Sequence, residues 1–184
     1  PLLLLGLATA LTLTAGLYLG LVLAPEERVQ GVAQRIFYIH VPSVWAGFLA
    51  FFVVFVTNLG YLGTRRVGWD IVARSSAELG TVFLTASIFS GAIWARPIWG
   101  TWWSWDARGT TTLILWLIFV AYMMLRSTGG PGPRIARFSA VLGVFGFLNV
   151  LLVFYSVRLW RTLHPGPTVL ATDSSGGLAP EMLL

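Results

Sequence analysis

Residues 41–64 read VPSVWAGFLAFFVVFVTNLGYLGT and contain no charged side chain. Because an α-helix rises about 1.5 Å per residue, a run of this length can cross the ~30 Å hydrocarbon core of a bilayer. Four further uncharged runs occupy residues 1–25, 79–95, 109–125 and 138–157. Only 10% of the residues are charged, against about 25% in a soluble domain. The sequence therefore predicts an all-α, polytopic membrane protein.

The predicted fold is a single membrane domain, residues 1–184, built as a bundle of six transmembrane helices. The spans are expected at about 2–23, 44–63, 71–94, 109–126, 138–157 and from 178–184 onward. The first run lacks a basic leader and a small-residue cleavage site, so we expect it to stay as a span. Because the chain opens at Pro1 and stops while turning apolar, we expect both ends to be trimmed and the sixth span to be truncated.

The composition excludes several kinds of site. The chain has no cysteine, which rules out disulfides, Fe–S clusters, thiolate zinc sites and covalently attached c-type haem. All twelve basic residues are arginines, and the net charge is +5. In a polytopic protein such an excess sets the orientation in the membrane, so nucleic acid is not expected as a partner.

Alternation of the spans assigns the connecting segments to two faces. The connections at 24–43, 95–108 and 158–178 share one face, and those at 64–74 and 126–137 share the other. The arginines divide equally between the faces but are denser on the second, which the positive-inside rule places in the cytoplasm. The first face is therefore the outer one, and it carries both histidines of the chain, His40 and His164.

Two local patterns predict further detail. Apolar residues from Pro25 onward follow helical spacing, and Pro42 should end that helix. We therefore expect a short interfacial helix with His40 at its end, on the buried side. Asp70, Arg74 and Glu78 follow one another at intervals of four residues, which favours a ladder of ion pairs along one helix over a proton path.

The outer connection between spans three and four is rich in tryptophan and reads WGTWWSWDARGT over residues 99–110. An aromatic belt at the membrane interface accounts for the isolated tryptophans Trp45, Trp69, Trp116 and Trp160. It does not account for four indoles in seven residues, Trp99, Trp102, Trp103 and Trp105. A clustered indole surface suits a large, flat, apolar ligand. Arg96 and Arg108 could meet its carboxylates, and Asp106 could orient Arg108 or a tryptophan N–H.

The two histidines add a metal-binding capacity to the same face. A lone histidine in a loop is usually solvated, but these are the only two in the chain and they share a face with the tryptophan loop. Two imidazoles can bind a haem iron from opposite sides. Arginines accompany both, with Arg35 before His40 and Arg158 and Arg161 before His164. By residue type, the set matches haem, which has an apolar ring, an iron and two propionates.

Two other functions share part of this pattern. A membrane quinone or haem redox subunit would also use aromatics and histidines, but b-type cytochromes hold haem inside their helices, and no histidine lies within a predicted span. A transporter usually shows broken helices or ionisable residues at mid-membrane. The predicted mid-span positions are apolar except for glycines, hydroxyl residues, Asn58 and Asn149. A surface site is therefore favoured over a conduit.

The stretch WGTWWSWDARGT resembles the WWD motif of haem-handling proteins, and specifically the pattern WGTWWxWDxRLT of the cytochrome c maturation protein C (CcmC) family. The segments YIHVPSVW at 38–45 and TLHPGPT at 162–168 resemble those that carry the family's haem-ligating histidines. The resemblance covers nearly the whole chain in order. Gly109 departs from it, since the family pattern has leucine there. Glycine should give up an apolar contact and weaken the start of span four.

The resemblance implies a haem-handling protein of the bacterial inner membrane rather than an enzyme, although it leaves open a part in attaching haem to the chaperone. His40 and His164 would be axial ligands of a transiently bound haem b at the periplasmic face. The haem-binding platform would comprise Trp99, Gly100, Thr101, Trp102, Trp103, Trp105, Asp106 and Arg108, and we add Arg35 and Arg161 as cations. The implied partners are the haem chaperone CcmE, the ATPase and permease CcmA and CcmB, the small subunit CcmD and the lipid bilayer.

Overall fold

The computed structural model of the chain describes residues 1–164, which form five long helices and no strand. Helix α1 spans Leu2–Tyr18 and continues as a π-helical turn, Leu19–Leu23; a 3₁₀ helix follows at Val32–Ile36. The remaining helices are α2 (Phe37–Thr64), α3 (Val67–Trp99), α4 (Ala107–Thr128) and α5 (Pro133–Leu159). All five are long and apolar enough to cross a membrane. The prediction of an all-α membrane bundle is confirmed, while the sixth predicted span lies outside the described residues.

The core forms where four of these helices meet. Helix α2 packs along α3 and α5, and α4 packs along α5. At the centre, the rings of Phe51 and Phe119 stack with centroids 3.8 Å apart. Gly80 on α3 permits this arrangement, because a Cβ there would lie 2.5 Å from the Phe51 ring. Small residues let helices approach closely in lipid, where burial of apolar surface contributes little to their association.

Helix α1 stands apart from this core. None of its residues is buried, and it joins the bundle only around its C-terminal end. There Gly20 lies against the Tyr38 ring. The Arg35 guanidinium donates hydrogen bonds to the carbonyls of Leu21 (3.0 Å) and Ala24 (3.1 Å). These carbonyls are among the groups that a helix end leaves without intrahelical partners.

The connection before α2 differs from its prediction. Residues 25–31 form a turn in which the Glu27 carboxylate accepts from the backbone N–H groups of Val29 (2.8 Å) and Gln30 (2.6 Å). The expected interfacial helix ending at Pro42 is wrong, since α2 begins at Phe37 and contains Pro42. A proline so near the start of a helix costs one backbone hydrogen bond. The tertiary packing of the rest of α2 outweighs that loss.

The predicted ladder of ion pairs is wrong for Asp70. Arg74 does pair with Glu78 at 3.1 Å. Asp70, however, accepts two hydrogen bonds from Arg126 of α4, at 2.7 and 2.8 Å. That bidentate pair is 10% and 14% exposed, against 53% and 46% for Arg74 and Glu78. The partner of Asp70 lies on another helix, so spacing along α3 could not reveal it.

We expect Asp70→Ala to lower the free energy of unfolding by about 3 kcal/mol, because it leaves Arg126 mostly buried without its partner. Glu78→Ala, which breaks the exposed pair, should cost less than about 1 kcal/mol. Thermal unfolding of both variants in detergent micelles, followed by circular dichroism, measures the difference. Equal losses in the two variants would contradict the assigned role of the Asp70–Arg126 pair.

Candidate functional site

The two histidines, far apart in sequence, lie together at one end of the bundle. His40 is in the first turns of α2, and His164 belongs to the segment after α5. Their ring centroids are 6.4 Å apart, and the ring planes are tilted by 32°. We call this the histidine end; it also contains the Trp99–Arg108 segment. The alternation of spans, which predicted that these residues share a face, agrees with this arrangement.

The position of His40 corrects a premise of the sequence analysis. The helix that contains it belongs to the span-length segment Val32–Thr64. A histidine therefore does lie inside a helix long enough to cross the membrane. The cause is the early start of α2, which absorbs the residues that were expected to form a separate interfacial helix.

Helix α3 orients the His40 ring. Its Nδ1 atom lies 3.0 Å from the carbonyl oxygen of Ser87 and 3.2 Å from the hydroxyl of Ser90. The Ser90 hydroxyl donates its own proton to the Ala86 carbonyl at 2.7 Å, so both atoms accept from His40. Nδ1 therefore carries the proton, and the lone pair of the neutral ring is on Nε2. Gly91 makes room for the ring, because a Cβ there would lie 2.8 Å from Cε1.

Trp94 extends this support towards the surface. Its ring meets His40 edge-on at 5.8 Å and Phe37 at 6.2 Å. Its indole N–H donates to the Gln30 side chain at 3.0 Å, which ties the first connection to α3. Sequence reasoning missed this set of supporting residues. The available signal was the helical spacing of Ser87, Ser90, Gly91 and Trp94, which places them on one face of α3.

The loop that contains the WWD motif is shorter than predicted. The expected loop covers residues 95–108, but α3 continues to Trp99 and α4 begins at Ala107. Gly100 ends α3 with a φ of 74°, a left-handed conformation that glycine adopts without strain. Its carbonyl accepts a hydrogen bond from Arg96. The loop proper is therefore residues 100–106.

The tryptophans of this segment have different surroundings. Trp99 meets the His164 ring edge-on at 6.1 Å. Trp103 and Trp105 contact each other at 6.2 Å, and the Thr101 hydroxyl donates to the Trp103 carbonyl at 3.0 Å. Trp102 and Trp105 are 58% and 75% exposed. Within this segment, Trp99 is therefore the tryptophan placed against a histidine ring, that of His164.

The two charged residues of the motif hold the segment that carries His164. One carboxylate oxygen of Asp106 caps α4 by accepting from the Gly109 N–H at 2.8 Å, and the other accepts from the Leu163 N–H at 3.0 Å. The Arg108 guanidinium contacts Nδ1 of His164 at 3.3 Å and donates to the Phe154 carbonyl at 3.5 Å. Asp106 thus accepts from two backbone N–H groups. The sequence had instead predicted that it orients Arg108 or a tryptophan N–H.

The two remaining predicted cations, Arg35 and Arg161, have different surroundings. Both terminal nitrogens of Arg35 donate to the carbonyls of Leu21 and Ala24. Arg35 therefore stabilises the end of the first helix and is not directed to the histidine pair. Arg161 is exposed in the segment between α5 and His164.

Gly109 fits its surroundings better than the sequence suggested. A Cβ at this position would lie 2.5 Å from the backbone carbonyl oxygen of Ser104 and 3.2 Å from the Asp106 carboxylate. A leucine, as in the family pattern, would require the Ser104 carbonyl to lie elsewhere. In this chain the loop folds back onto α4 and uses the space that the missing side chain leaves.

We expect Gly109→Ala to lower the free energy of unfolding by about 1–3 kcal/mol, because the loop backbone must move away from the new methyl group. Gly68→Ala is the matched control, since nothing lies within 4 Å of a Cβ there. It should be neutral or stabilise α3 by up to about 1 kcal/mol. Thermal unfolding, with near-ultraviolet circular dichroism of the tryptophans, measures both effects. Identical behaviour of the two variants would show that the loop does not pack against Gly109.

Span-length apolar helices with a histidine pair at one end define this chain as a multi-pass membrane protein with a potential metal-binding site. A family model described as "Heme exporter protein C", CcmC, matches residues 2–184. The chain belongs to this family.

Two curated relatives, each named "Heme exporter protein C", illustrate the match. The protein of Bradyrhizobium diazoefficiens is 37% identical over 168 residues, which cover 91% of this chain. That of Escherichia coli is 32% identical over 165 residues, which cover 89%. The chain spans 64% and 67% of the lengths of these relatives.

Proposed function

We propose that this chain is the haem-holding part of a subunit of cytochrome c maturation, and that it binds haem b transiently between His40 and His164. The observation that carries the proposal is the 6.4 Å separation of the two imidazole rings. A metal–imidazole bond is about 2 Å long, so two ligands on opposite sides of one metal have nitrogens about 4 Å apart. Ring centroids lie farther out than the nitrogens. The observed separation is therefore compatible with one iron between the rings.

The chemistry of the donor set also fits haem. His40 has its Nδ1–H engaged by a backbone carbonyl, which leaves Nε2 with the lone pair that a metal requires. Trp94, Phe37 and Trp99 supply aromatic edges next to the two imidazoles. Haem supplies an apolar macrocycle and an iron that accepts two axial ligands. The residues present therefore match both the macrocycle and the iron of haem.

In this proposal the protein's own residues bind and orient rather than catalyse. The family platform, Trp99 to Arg108, would cover the apolar ring, with the exposed Trp102 and Trp105 at its outer edge. Arg161 is the exposed cation nearest in sequence to His164 and is proposed as a propionate contact. Arg35 is not proposed as one, because both of its terminal nitrogens donate to carbonyls at the end of the first helix. The expected role is handling of haem rather than an enzymatic reaction.

The sidedness and the partners are proposals of the same kind. The end of the bundle opposite the histidines carries Arg65, Arg66, Arg134 and Arg137. Because arginine is denser at that end, the positive-inside rule favours it as the cytoplasmic one, and the histidine end would then lie at the periplasmic face of a bacterial inner membrane. There the haem would be presented to the chaperone CcmE, with CcmA, CcmB and CcmD as further partners. The chain would act as a single membrane domain.

A quinone or haem redox subunit is the second possibility, and the location of His40 inside α2 favours it more than the sequence did. Membership of the heme exporter protein C family favours haem handling. The two functions predict different behaviour of purified protein. A haem-presenting subunit should hold substoichiometric, easily lost haem and should not oxidise quinol. Stably bound haem together with quinol oxidation would favour the redox subunit over the haem-presenting one.

We expect the purified chain, supplied with haem in detergent, to show the absorption spectrum of a low-spin, bis-histidine haem. His40→Gly and His164→Gly should each lower haem occupancy or convert the spectrum to a high-spin form, because one axial ligand is lost. Added imidazole should restore the low-spin spectrum in both variants by occupying the vacated position. Absorption and electron paramagnetic resonance spectra provide the measurement.

Arg134→Gln is the control for this experiment, since it changes an exposed residue at the start of α5, at the opposite end of the bundle from the histidines. It should leave the spectrum unchanged. An unaltered low-spin spectrum in both single variants and in the double variant would show that His40 and His164 are not the ligands. Absence of haem binding by the unsubstituted chain would overturn the proposed function.

A further inference from the structure

The Nδ1 atom of His40 faces a hydrogen-bond acceptor, whereas that of His164 faces a donor. At His40 this nitrogen faces the Ser87 carbonyl, which can only accept, so Nδ1 is protonated. At His164 it lies 3.3 Å from Nη1 of Arg108, and a guanidinium can only donate. Nδ1 of His164 therefore carries the lone pair, and the proton of the neutral ring is on Nε2. The two rings are in opposite tautomers.

This difference has a consequence for metal binding, because a metal takes the lone pair of a neutral imidazole. His40 offers Nε2 and keeps its hydrogen bond to Ser87. His164 has two ways to bind, and both break its contact with Arg108. Binding through Nδ1 displaces the guanidinium directly. Binding through Nε2 moves the proton to Nδ1, where the new N–H would face an N–H of Arg108.

The surroundings of Arg108 allow this exchange with little movement. Its second terminal nitrogen donates to the Phe154 carbonyl of α5 at 3.5 Å. The backbone beside His164 is held separately, since Asp106 accepts from the Leu163 N–H and the Thr162 hydroxyl donates to the His164 carbonyl at 3.1 Å. The imidazole can therefore change partners while the segment that carries it stays attached to α4.

We propose that Arg108 makes His164 the exchangeable axial ligand of the site and leaves His40 as the resident one. This inference rests on the haem-holding function proposed above. When the bond between His164 and iron breaks, a hydrogen bond from Arg108 to Nδ1 of the imidazole forms in its place, with no change in oxidation state. If the bond was through Nε2, the ring proton returns from Nδ1 to Nε2 in the same step. Arg108 thereby lowers the cost of opening one axial position, which a haem-presenting protein must do to release its cargo. Arg108 is a positioning residue in this scheme.

The first test uses the chain without haem. It contains only two histidines, so ¹⁵N-histidine labelling of the full chain in lipid nanodiscs gives two resolvable ring systems by NMR. His40 should be protonated at Nδ1 and His164 at Nε2. Arg108→Met should shift His164 towards a mixture of tautomers and leave His40 unchanged, whereas Arg134→Gln should alter neither. Protonation of His164 at Nδ1 in the unsubstituted chain would overturn the proposal.

The second test measures ligand exchange in the haem-loaded chain. Carbon monoxide can bind the reduced iron only after one histidine leaves. A hydrogen bond to a charged donor shifts such an equilibrium about tenfold. Arg108→Met should therefore slow carbon monoxide binding by about tenfold, Arg108→Lys should have a smaller effect, and Arg134→Gln should have none. In a His164→Ala background, Arg108→Met should no longer change the rate, because the coupled partner is gone.

The outcomes separate the inference from the function on which it rests. Lower haem occupancy in Arg108→Met, with an unchanged carbon monoxide rate in the loaded fraction, would make Arg108 a propionate contact and overturn the exchange role. Circular dichroism checks that the variant is folded, and Arg108→Lys supplies the comparison if it is not. Failure of the unsubstituted chain to bind haem would instead overturn the proposed function, whatever the tautomers are.

Discussion

The Asp106 carboxylate joins the parts of the chain on which the histidine end depends. One of its oxygens accepts from the Gly109 N–H and begins α4, as an N-cap does. The other accepts from the Leu163 N–H, 57 residues along the chain, and holds the segment that follows α5. Since Trp99 and Arg108 lie on either side of this loop, the position of the WWD motif and that of His164 are set by the same side chain. Asp106 thus has a structural role, because it holds both the start of α4 and the segment that carries His164.

The site lies at the junction of two helix pairs. Helix α3 holds His40 through the Ser87 carbonyl, whereas α4 and the end of α5 hold His164 through Arg108 and Asp106. The pairs α2–α3 and α4–α5 are connected at the centre by the Phe51–Phe119 stack and by the hydrogen bond from Trp116 to Thr85. At the far end the Asp70–Arg126 pair connects α3 to α4. A metal bound by both histidines would add a further connection at the histidine end.

The parts of the fold that could be predicted are those that depend on local composition. Uncharged runs located five helices, because the requirement to satisfy every backbone group in lipid leaves helices as the solution for such segments. Where two interactions competed, local reasoning failed. Pro42 was expected to end a helix, but packing of α2 overrides it, and Asp70 was assigned to Arg74 although Arg126 approaches from another helix. The supporting residues Ser87 and Gly91 were missed because neither carries an obvious chemical function.

The sequence by itself determined the helices, the kinds of residue available for a site and the end of the bundle at which they collect. Parity of the spans was sufficient for the last of these, since it depends only on counting crossings. Only the tertiary structure decided that Trp99 rather than Trp102 or Trp105 reaches the histidines, that Arg35 serves a helix end, and that Arg108 meets His164. The physical reason is that hydrogen bonds and ring contacts are short-ranged and directional. Their partners come from segments whose relative positions are set by packing across the whole bundle.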